Sequence, residues 1–302
     1  MDYIEFREEI FNILQELIAK DVSIELVEAE KLNGCIRYGV MFNCASLRYA
    51  HTIYLEPFYR GFKNGKTLDQ LAKDVLKCFE EENAEVPVDL DKFQCYESAR
   101  EQVYCKLINA EENQKMLQDT PHVMFSDFAI VTYFEVNSTA IYKGSILIKE
   151  HYLQQWGITA EELLENALEH TLKSKGVVFL SMAEVLADFY HNNVGEINKE
   201  PNEKMYVLTN KDKHLGAVLI YFPKVMKWIA QTLGEDFYLL PASIHEWIII
   251  PQSAVVDEKQ LLSVVRNINL YEVLEEEVLA NDIYFYSDST GKDPIRRISD
   301  AG

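Results

Sequence analysis

Residues 205–251 constrain the fold more than any other part of the sequence, because strand-like and helical patterns alternate there over a short distance. The pattern predicts strands at 205–209, 216–222, 237–240 and 246–250. Between the second and third of these strands, Pro223 predicts the first turn of an amphipathic helix, and Gly234 predicts its end. The stretch therefore requires a fold in which strands and helices alternate.

Looser patterns of the same kind precede and follow this stretch. They predict helices at 3–20, 67–79, 177–191, 257–269 and 272–280, and strands at 23–27, 36–42, 51–56, 128–136, 140–148 and 283–286. Asn33-Gly34 predicts the turn between the first two strands, and a loop is expected before the helix at 67–79. Residues 103–108 fit either a strand or a short helix, a short helix is expected after Asn109, and the C-terminus is expected to fray.

Two segments resemble each other and predict the same strand–loop–helix unit. Residues 52–59 align with residues 145–152, and the helices that follow begin after Thr67 and after Thr159. Each threonine starts a capping box, because a Gln or Glu three residues later can bond back to the threonine amide. Asp257 is expected to start a third box with Gln260. A structural repeat and chance convergence both remain open.

These patterns predict an α+β fold with mixed, largely antiparallel sheets, helices packed on one face, and repeated strand–loop–helix units. The polar residues 192–201 form the clearest break in the pattern. We predict three regions on this basis. They are an N-terminal α+β region at 1–120, a middle strand–helix region at 121–200 that possibly repeats 50–80, and a C-terminal α+β region at 201–302.

Composition and charge argue against several classes of protein. A hydrophobic content of 48% is ample for a packed core, and no apolar run reaches the ~18 residues that cross a membrane. The net charge of −20 argues against binding to duplex nucleic acid, which needs a basic surface. Since the N-terminus lacks the basic and apolar regions of a signal peptide, we expect a cytoplasmic protein without membrane partners.

The five cysteines do not form a metal-binding pattern. They are Cys35, Cys44, Cys78, Cys95 and Cys105, and none belongs to a CxxC pair. Zinc sites usually need such paired spacing, so we expect reduced, buried thiols and no metal. The sequence gives no reason to expect a cofactor.

Two segments resemble known motifs, but each departs from the spacing or the residues that its motif requires. Residues 61–67 resemble a phosphate-binding loop, but only three residues separate the glycines, whereas a P-loop needs four. His245-Glu246 resembles the start of a zinc-protease motif, but Ile249 replaces the second histidine. The sequence therefore argues against a phosphate-binding loop at 61–67 and against a zinc-protease motif at His245-Glu246.

The strongest candidate for catalysis is the group Ser243, His245 and Glu246. In an extended segment Ser243 and His245 point to the same side, so they could form a hydrolytic pair, whereas Glu246 points to the other side. A polar turn, with local hydrogen bonds from His245 and Glu246, is the alternative. Candidate ligand-binding residues are Asn109, Asn210, Lys211 and Lys213, and the lysines could attract an anionic substrate.

Several phrases resemble a known family in their order and spacing. They are residues 106–136, followed by MYVLTN, GAVLIYF, LPASIHEWIIIP and NDIYFY. Nearly the whole chain, to about Tyr286, resembles the uncharacterised bacterial domain-of-unknown-function 5688 family. The family usually has two serines before the isoleucine of the fourth phrase, whereas Ala242-Ser243 stands here, so no hydroxyl role is implied at 242. The resemblance implies a bacterial cytosolic protein and carries no established activity.

Three functional hypotheses follow from these observations. The first is a non-catalytic cytoplasmic protein that binds another protein or an unidentified small ligand, chiefly through its C-terminal half. The second is a hydrolase-like enzyme with its site around Ser243 and His245. The third is an acidic decoy that occupies a nucleic-acid-binding protein, since its net charge of −20 resembles that of a nucleic acid.

Overall fold

A computed structural model describes residues 1–44, 50–83, 90–137, 143–191, 204–288 and 294–299. The described residues belong to two compact units: the smaller lies within 1–88, and the larger within 89–137 and 143–302. Helices accompany antiparallel sheets in both units, which confirms the predicted α+β class. None of the helices in the described part of the chain is both long enough and apolar enough to cross a bilayer.

The smaller unit packs helices against a three-stranded antiparallel sheet. Its elements are α1 (Tyr3–Leu17), β1 (Val22–Glu30), β2 (Ile36–Cys44), β3 (His51–Tyr54), α2 (Glu56–Lys63) and α3 (Leu68–Asn83). The central strand is β2, and its buried Val40 and Phe42 lie in one core with Phe6 and Ile10 of α1. The predicted turn at Asn33-Gly34 is confirmed, and both residues have positive φ.

Helix α2 lies where a loop was predicted. Pro57 stands in its first turn, where the fixed φ of proline favours a helix and the missing amide costs nothing. Phe58, Tyr59 and Phe62 pack against the core, which stabilises a helix too short to persist alone. The phosphate-loop-like residues thus form the end of α2 and a turn.

The larger unit contains a four-stranded antiparallel sheet followed by two helices. Its elements are α4 (Tyr96–Ala99), β4 (Val103–Asn109), α5 (Gln114–Leu117), β5 (His122–Phe125), β6 (Phe128–Asn137), β7 (Lys143–Leu147), α6 (Glu150–Trp156) and α7 (Ala160–Lys175). Strand β6 pairs with β4 on one side and with β5 and then β7 on the other. Residues 103–108 are therefore a strand, and β5 is an element that the sequence pattern missed.

The two similar segments have the same local structure. Each contains an edge strand, a short helix and a long helix, namely β3–α2–α3 and β7–α6–α7. The predicted capping box at Thr67 is confirmed by hydrogen bonds in both directions with Gln70, of 3.1 and 3.3 Å. Thr159 caps α7 by accepting the Glu162 amide at 3.1 Å. The predicted loop of the repeat is a short helix in both copies.

A second, six-stranded antiparallel sheet completes the larger unit. Its elements are β8 (Val178–Ser181), α8 (Met182–His191), β9 (Tyr206–Thr209), α9 (Pro223–Leu233), β10 (Phe237–Ser243), β11 (Glu246–Pro251), α10 (Glu258–Tyr271), β12 (Ile283–Tyr286) and β13 (Ile295–Ile298). The strand order is β13–β12–β10–β11–β9–β8. Phe128 of the four-stranded sheet packs against Trp247 and Tyr284 of this sheet, with ring centroids 5.8 and 5.2 Å apart.

Residues 216–222 do not form the predicted strand. Gly216–Tyr221 is a 3₁₀ helix, and Gly216 through Ile220 are all buried. A fully buried segment is apolar on every side, so its composition alone cannot distinguish a strand from a helix. Trp247 secures this helix by donating its indole N–H to the Ala217 carbonyl at 2.9 Å.

Four further predictions need correction. The helix expected at 177–191 begins as strand β8, and the helix expected at 272–280 contains only a 3₁₀ turn at Glu275–Glu277. Asp257 caps α10 through the Lys259 amide at 2.9 Å, not through a box with Gln260. The C-terminal residues 295–298 pair with β12 and do not fray. For β8 and for residues 295–298, pairing with a distant strand overrides a weak local preference.

The two units differ from the three predicted regions. Strand β4 lies before residue 120 and pairs with β6 after it, and β8 lies before residue 200 and pairs with β9 after it. Pairing between strands distant in sequence therefore joins the predicted regions within the larger unit. The polar break at 192–201 falls within residues 192–203, which lie outside the described part of the chain.

Only some of the cysteines are buried as predicted. Cys35 and Cys105 are buried, Cys44 and Cys78 are half-buried, and Cys95 is exposed. A hydrogen bond between the Cys95 thiol and the Ser98 hydroxyl lowers the pKa of Cys95, whereas burial raises the pKa of Cys105. The thiols therefore differ in reactivity.

Candidate functional site

Ser243 and His245 lie at the turn between β10 and β11. The His245 amide donates to the Ser243 hydroxyl oxygen at 3.0 Å. The imidazole Nδ1 accepts the Leu215 amide at 3.0 Å, and Nε2 faces the Glu277 carboxylate at 3.3 Å. Although the structure describes both residues, it places no hydrogen bond between the Ser243 hydroxyl and either ring nitrogen. His245 therefore does not activate Ser243 in this geometry.

The loop at 210–216 is held in a strained conformation. The Asn210 amide group donates to the His214 carbonyl at 2.7 Å and its oxygen accepts the His214 amide at 3.2 Å, which closes the loop. Lys213 and the buried Leu215 have φ values of 52° and 55°, a region that bulky residues rarely adopt. The His214 ring stacks on His245 with centroids 4.8 Å apart. A strained backbone that several contacts hold in place is typical of functional sites.

The other predicted residues around this loop have separate surroundings. Lys211 and Lys213 are exposed, and the Lys211 side chain extends across Gly176. Glu246 is half-buried and pairs with Ser243 across the hairpin. Both polar groups of the Asn210 side chain bond within the loop. Asn210 therefore has a structural role here, and the two lysines remain the accessible candidates.

A buried ion cluster beside the loop was not predicted. The Lys175 ammonium, at the end of α7, contacts Glu135 and Asp212 at 2.7 Å each. It also lies 4.1 Å from the centroid of the Tyr104 ring. Burial alone lowers the pKa of Lys175, but hydrogen bonds to Asp212 and Glu135 outweigh burial, so the pKa is raised. Lys175 is thus a fixed cation and not a nucleophile.

Asn109 lines a different feature, a cavity of about 630 Å³ in the larger unit. Its side-chain amide donates to the Leu279 carbonyl at 3.1 Å, and its oxygen accepts the Glu112 amide at 2.9 Å. The bond to Leu279 joins the end of β4 to the segment before β12, whereas the bond from Glu112 closes the turn after β4. Other polar lining residues are Glu111, Glu112, Gln114, Gln118, His122, Asp127, Asn281, Asp282, Tyr284 and Arg297.

Arg297 is the guanidinium of the cavity and is held by two carboxylates. Its Nε donates to Asp282 at 2.7 Å, its Nη2 also contacts Asp282, and its Nη1 lies 3.5 Å from Asp127. Arg266 contacts the second oxygen of Asp282 at 3.3 Å. The hydrogen bond to Asp282 raises the pKa of Arg297. Asp282 and Arg297 therefore largely neutralise each other.

Asp127 keeps an open acceptor. Its Oδ2 accepts the Tyr284 hydroxyl at 3.0 Å, and burial followed by the nearby Asp127 charge raises the pKa of that phenol. Within the described part of the chain, no hydrogen-bond donor reaches the other oxygen, Oδ1. Glu111 and Glu112 are exposed. The described lining thus contains four carboxylates and one guanidinium, which makes the cavity acidic.

Asn210 and His245 do not line this cavity. His245 and Asn109 contact the same short segment of chain, since Glu277 meets His245 and Leu279 meets Asn109. The predicted ligand residues are therefore divided between two places. The four carboxylates of the cavity come from three separate segments of chain, so no local sequence motif could predict them.

A family model matches residues 3–288 of the chain. The chain belongs to the family of unknown function DUF5688. The match extends over both units and includes the loop at 210–216, the Lys175 cluster and every lining residue of the cavity except Arg297. No curated protein and no solved structure matches the chain. Membership of DUF5688 assigns no activity to the chain.

Proposed function

We propose that the protein is a non-catalytic binding protein of the bacterial cytoplasm, and that the cavity beside Asn109 takes a small polar ligand with a cationic group. The observation that supports this proposal is the excess of carboxylates over guanidinium in the lining. A volume of about 630 Å³ is in the range of small-molecule sites. Amino and guanidinium groups are the cations that carboxylates bind by charge-assisted hydrogen bonds.

Asp127 is the residue we expect to bind the cation. Its Oδ2 is positioned by Tyr284, which leaves Oδ1 available, and the side chain is 35% exposed. Arg297 lies 3.5 Å from Oδ2 of Asp127, but Asp282 holds its Nε and Nη2, so Oδ1 of Asp127 stays open to the incoming cation. Glu111 and Glu112 add negative potential at the cavity, which would increase the association rate of a cationic ligand.

The binding role is favoured over hydrolysis by the bonding of His245. A hydrolytic serine needs a base within hydrogen-bond reach, whereas Nδ1 of His245 is occupied by the Leu215 amide. The Ser243 hydroxyl accepts a backbone amide of its own turn. The hydrogen bonds of Ser243 and His245 therefore stabilise the turn.

A matched pair of small molecules tests the proposal by isothermal titration calorimetry. Putrescine, agmatine and arginine amide supply the cationic groups, and 1,4-butanediol is the uncharged match to putrescine. We expect at least one amine to bind and the diol not to bind. Asp127→Asn keeps the side-chain shape and should weaken amine binding by at least about tenfold, since removing a charge-assisted bond costs about 1.5–3 kcal/mol.

The control is Asp69→Asn, which removes an exposed carboxylate from α3 of the smaller unit and should leave binding unchanged. Equal binding of putrescine and butanediol would show that charge is not recognised. Equal affinity of Asp127→Asn and the natural chain would show that the cavity is not the site. Either result, or no binding by any amine, contradicts the proposal.

A further inference from the structure

Arg297 brings a positive charge into the lining of the acidic cavity. In the described part of the chain, no other arginine and no lysine lines this cavity, whose carboxylates are those of Glu111, Glu112, Asp127 and Asp282. The Arg297 guanidinium contacts Oδ2 of Asp282 through Nε and Nη2, and its Nη1 lies 3.5 Å from Oδ2 of Asp127. A cationic group of the chain itself therefore already contacts the carboxylates that we expect to attract the ligand.

Main-chain pairing and a buried side chain hold the strand that carries Arg297. Strand β13 pairs with β12, and Arg297 lies opposite Tyr284 in this pairing. Ile298, the next residue, is buried and belongs to the same core cluster as Ile283. Because these contacts do not involve the guanidinium, the Arg297 side chain can move while β13 stays in place.

Release of Arg297 leaves neither of its carboxylates without a partner. Asp282 keeps Arg266, whose Nη2 lies 3.3 Å from Oδ1, and Asp127 keeps the Tyr284 hydroxyl at 3.0 Å. The Arg297 side chain is 48% exposed, so its guanidinium can rotate into water. A cationic ligand that takes its place restores the charge that was removed, so no buried carboxylate stays uncompensated. The cavity can therefore exchange one cation for another.

We infer that Arg297 is an internal competitor of the ligand: its guanidinium occupies the carboxylates of the cavity, and the cationic group of the ligand displaces it. This inference rests on the function that we propose for the cavity. A cation that arrives at the open Oδ1 of Asp127 reaches Asp282 only after Arg297 has moved away. The measured affinity is therefore reduced by the fraction of molecules in which Arg297 is in place. Since a guanidinium fills this place in the free protein, a guanidinium compound is the ligand class that fits it.

Calorimetric titration with agmatine, which carries a guanidinium like that of Arg297, tests the inference. Arg297→Gln removes the competing charge and should bind agmatine at least about tenfold more tightly than the natural chain. Arg297→Lys keeps a charge but loses the planar guanidinium, so its affinity should lie between those two. The matched control is Arg296→Gln, because Arg296 precedes Arg297 on β13 but lies over the Phe285 ring, 5.8 Å from its centroid, and does not line the cavity. It should change the affinity by less than about twofold.

Nuclear magnetic resonance measures the displacement in the natural chain itself. The Nε–H signal of Arg297 is the arginine signal that Arg297→Lys lacks. At saturating agmatine this signal should move toward the position of free arginine, because the hydrogen bond from Nε to Asp282 is lost. A signal that stays unchanged at saturation overturns the inference, since the ligand would then bind without displacing Arg297.

The outcomes separate this inference from the proposed function. Circular dichroism should show that each variant folds. If folded Arg297→Gln binds agmatine no more tightly than the natural chain, while Asp127→Asn still weakens amine binding, the competitor role is overturned and the proposed function stands. If Arg297→Gln binds agmatine and the natural chain binds no amine, the competitor role is supported and the proposed function of the natural chain is contradicted. If neither chain binds any amine, both are overturned.

Discussion

Replacement of Lys175 by methionine tests how the larger unit is held together. Lys175 is 8% exposed and bridges Glu135 of β6 to Asp212 of the strained loop, with 2.7 Å to each carboxylate. Methionine keeps the length and apolar stem of the side chain but removes the charge. Two carboxylates then lose their cation, and Glu135, with a side chain only 12% exposed, is poorly reached by water.

The expected loss in the free energy of unfolding is about 3 kcal/mol. Removing one partner of a buried ion pair costs about 3–5 kcal/mol, because the other charge remains buried without compensation. The lower end applies here, since the Asp212 side chain is 32% exposed and can recover water. A loss of that size is a large fraction of the about 5–15 kcal/mol that stabilises a typical domain.

Urea unfolding followed by tryptophan fluorescence measures this loss. Trp156, Trp228 and Trp247 all lie in the larger unit, so the signal reports on that unit. The contribution of Lys175 is complete below the ordinary pKa of lysine and is lost only as pH rises through its raised pKa.

Lys173→Met is the matched control, since Lys173 is exposed on the same helix two residues earlier. It should change the free energy of unfolding by less than about 0.5 kcal/mol. The double variant Lys175→Met/Glu135→Leu should recover part of the loss, because no buried charge is then left at β6. Equal stability of Lys175→Met and the natural chain at about pH 7 would refute the reasoning.

Three smaller perturbations probe the neighbouring features. His245→Ala should destabilise the larger unit by about 1–3 kcal/mol in a thermal melt, because the buried amide of Leu215 loses its acceptor; an unchanged melting temperature would argue against this role. Gly216→Ala should cost about 2 kcal/mol in urea unfolding, because a Cβ would lie 2.6 to 2.7 Å from three neighbouring atoms; full stability would mean that they can move apart. A thiol reagent should label Cys95 first and Cys105 only on unfolding, as mass spectrometry would show, and early labelling of Cys105 would contradict its burial.

Local sequence patterns were sufficient to predict most of the individual helices and strands. The proline that begins α9 and the glycine that ends it act within their own turn, so the sequence located that helix without knowledge of its neighbours. Thr67 likewise caps α3 through a residue three positions away. The family resemblance stated from sequence phrases is confirmed by the match over residues 3–288.

Tertiary structure decided the features in which distant residues meet. Residues 216–221 are apolar throughout, so only their packing beneath Trp247 determined that they form a 3₁₀ helix. The acidic cavity brings Asp127 to Arg297, and the ion cluster brings Glu135 to Asp212, across long separations that no sequence window contains. The sequence by itself determined both ends of α9 and the start of α3, because capping and turn formation are local. The partners of each buried charge were decided by strand pairing, which depends on the whole chain.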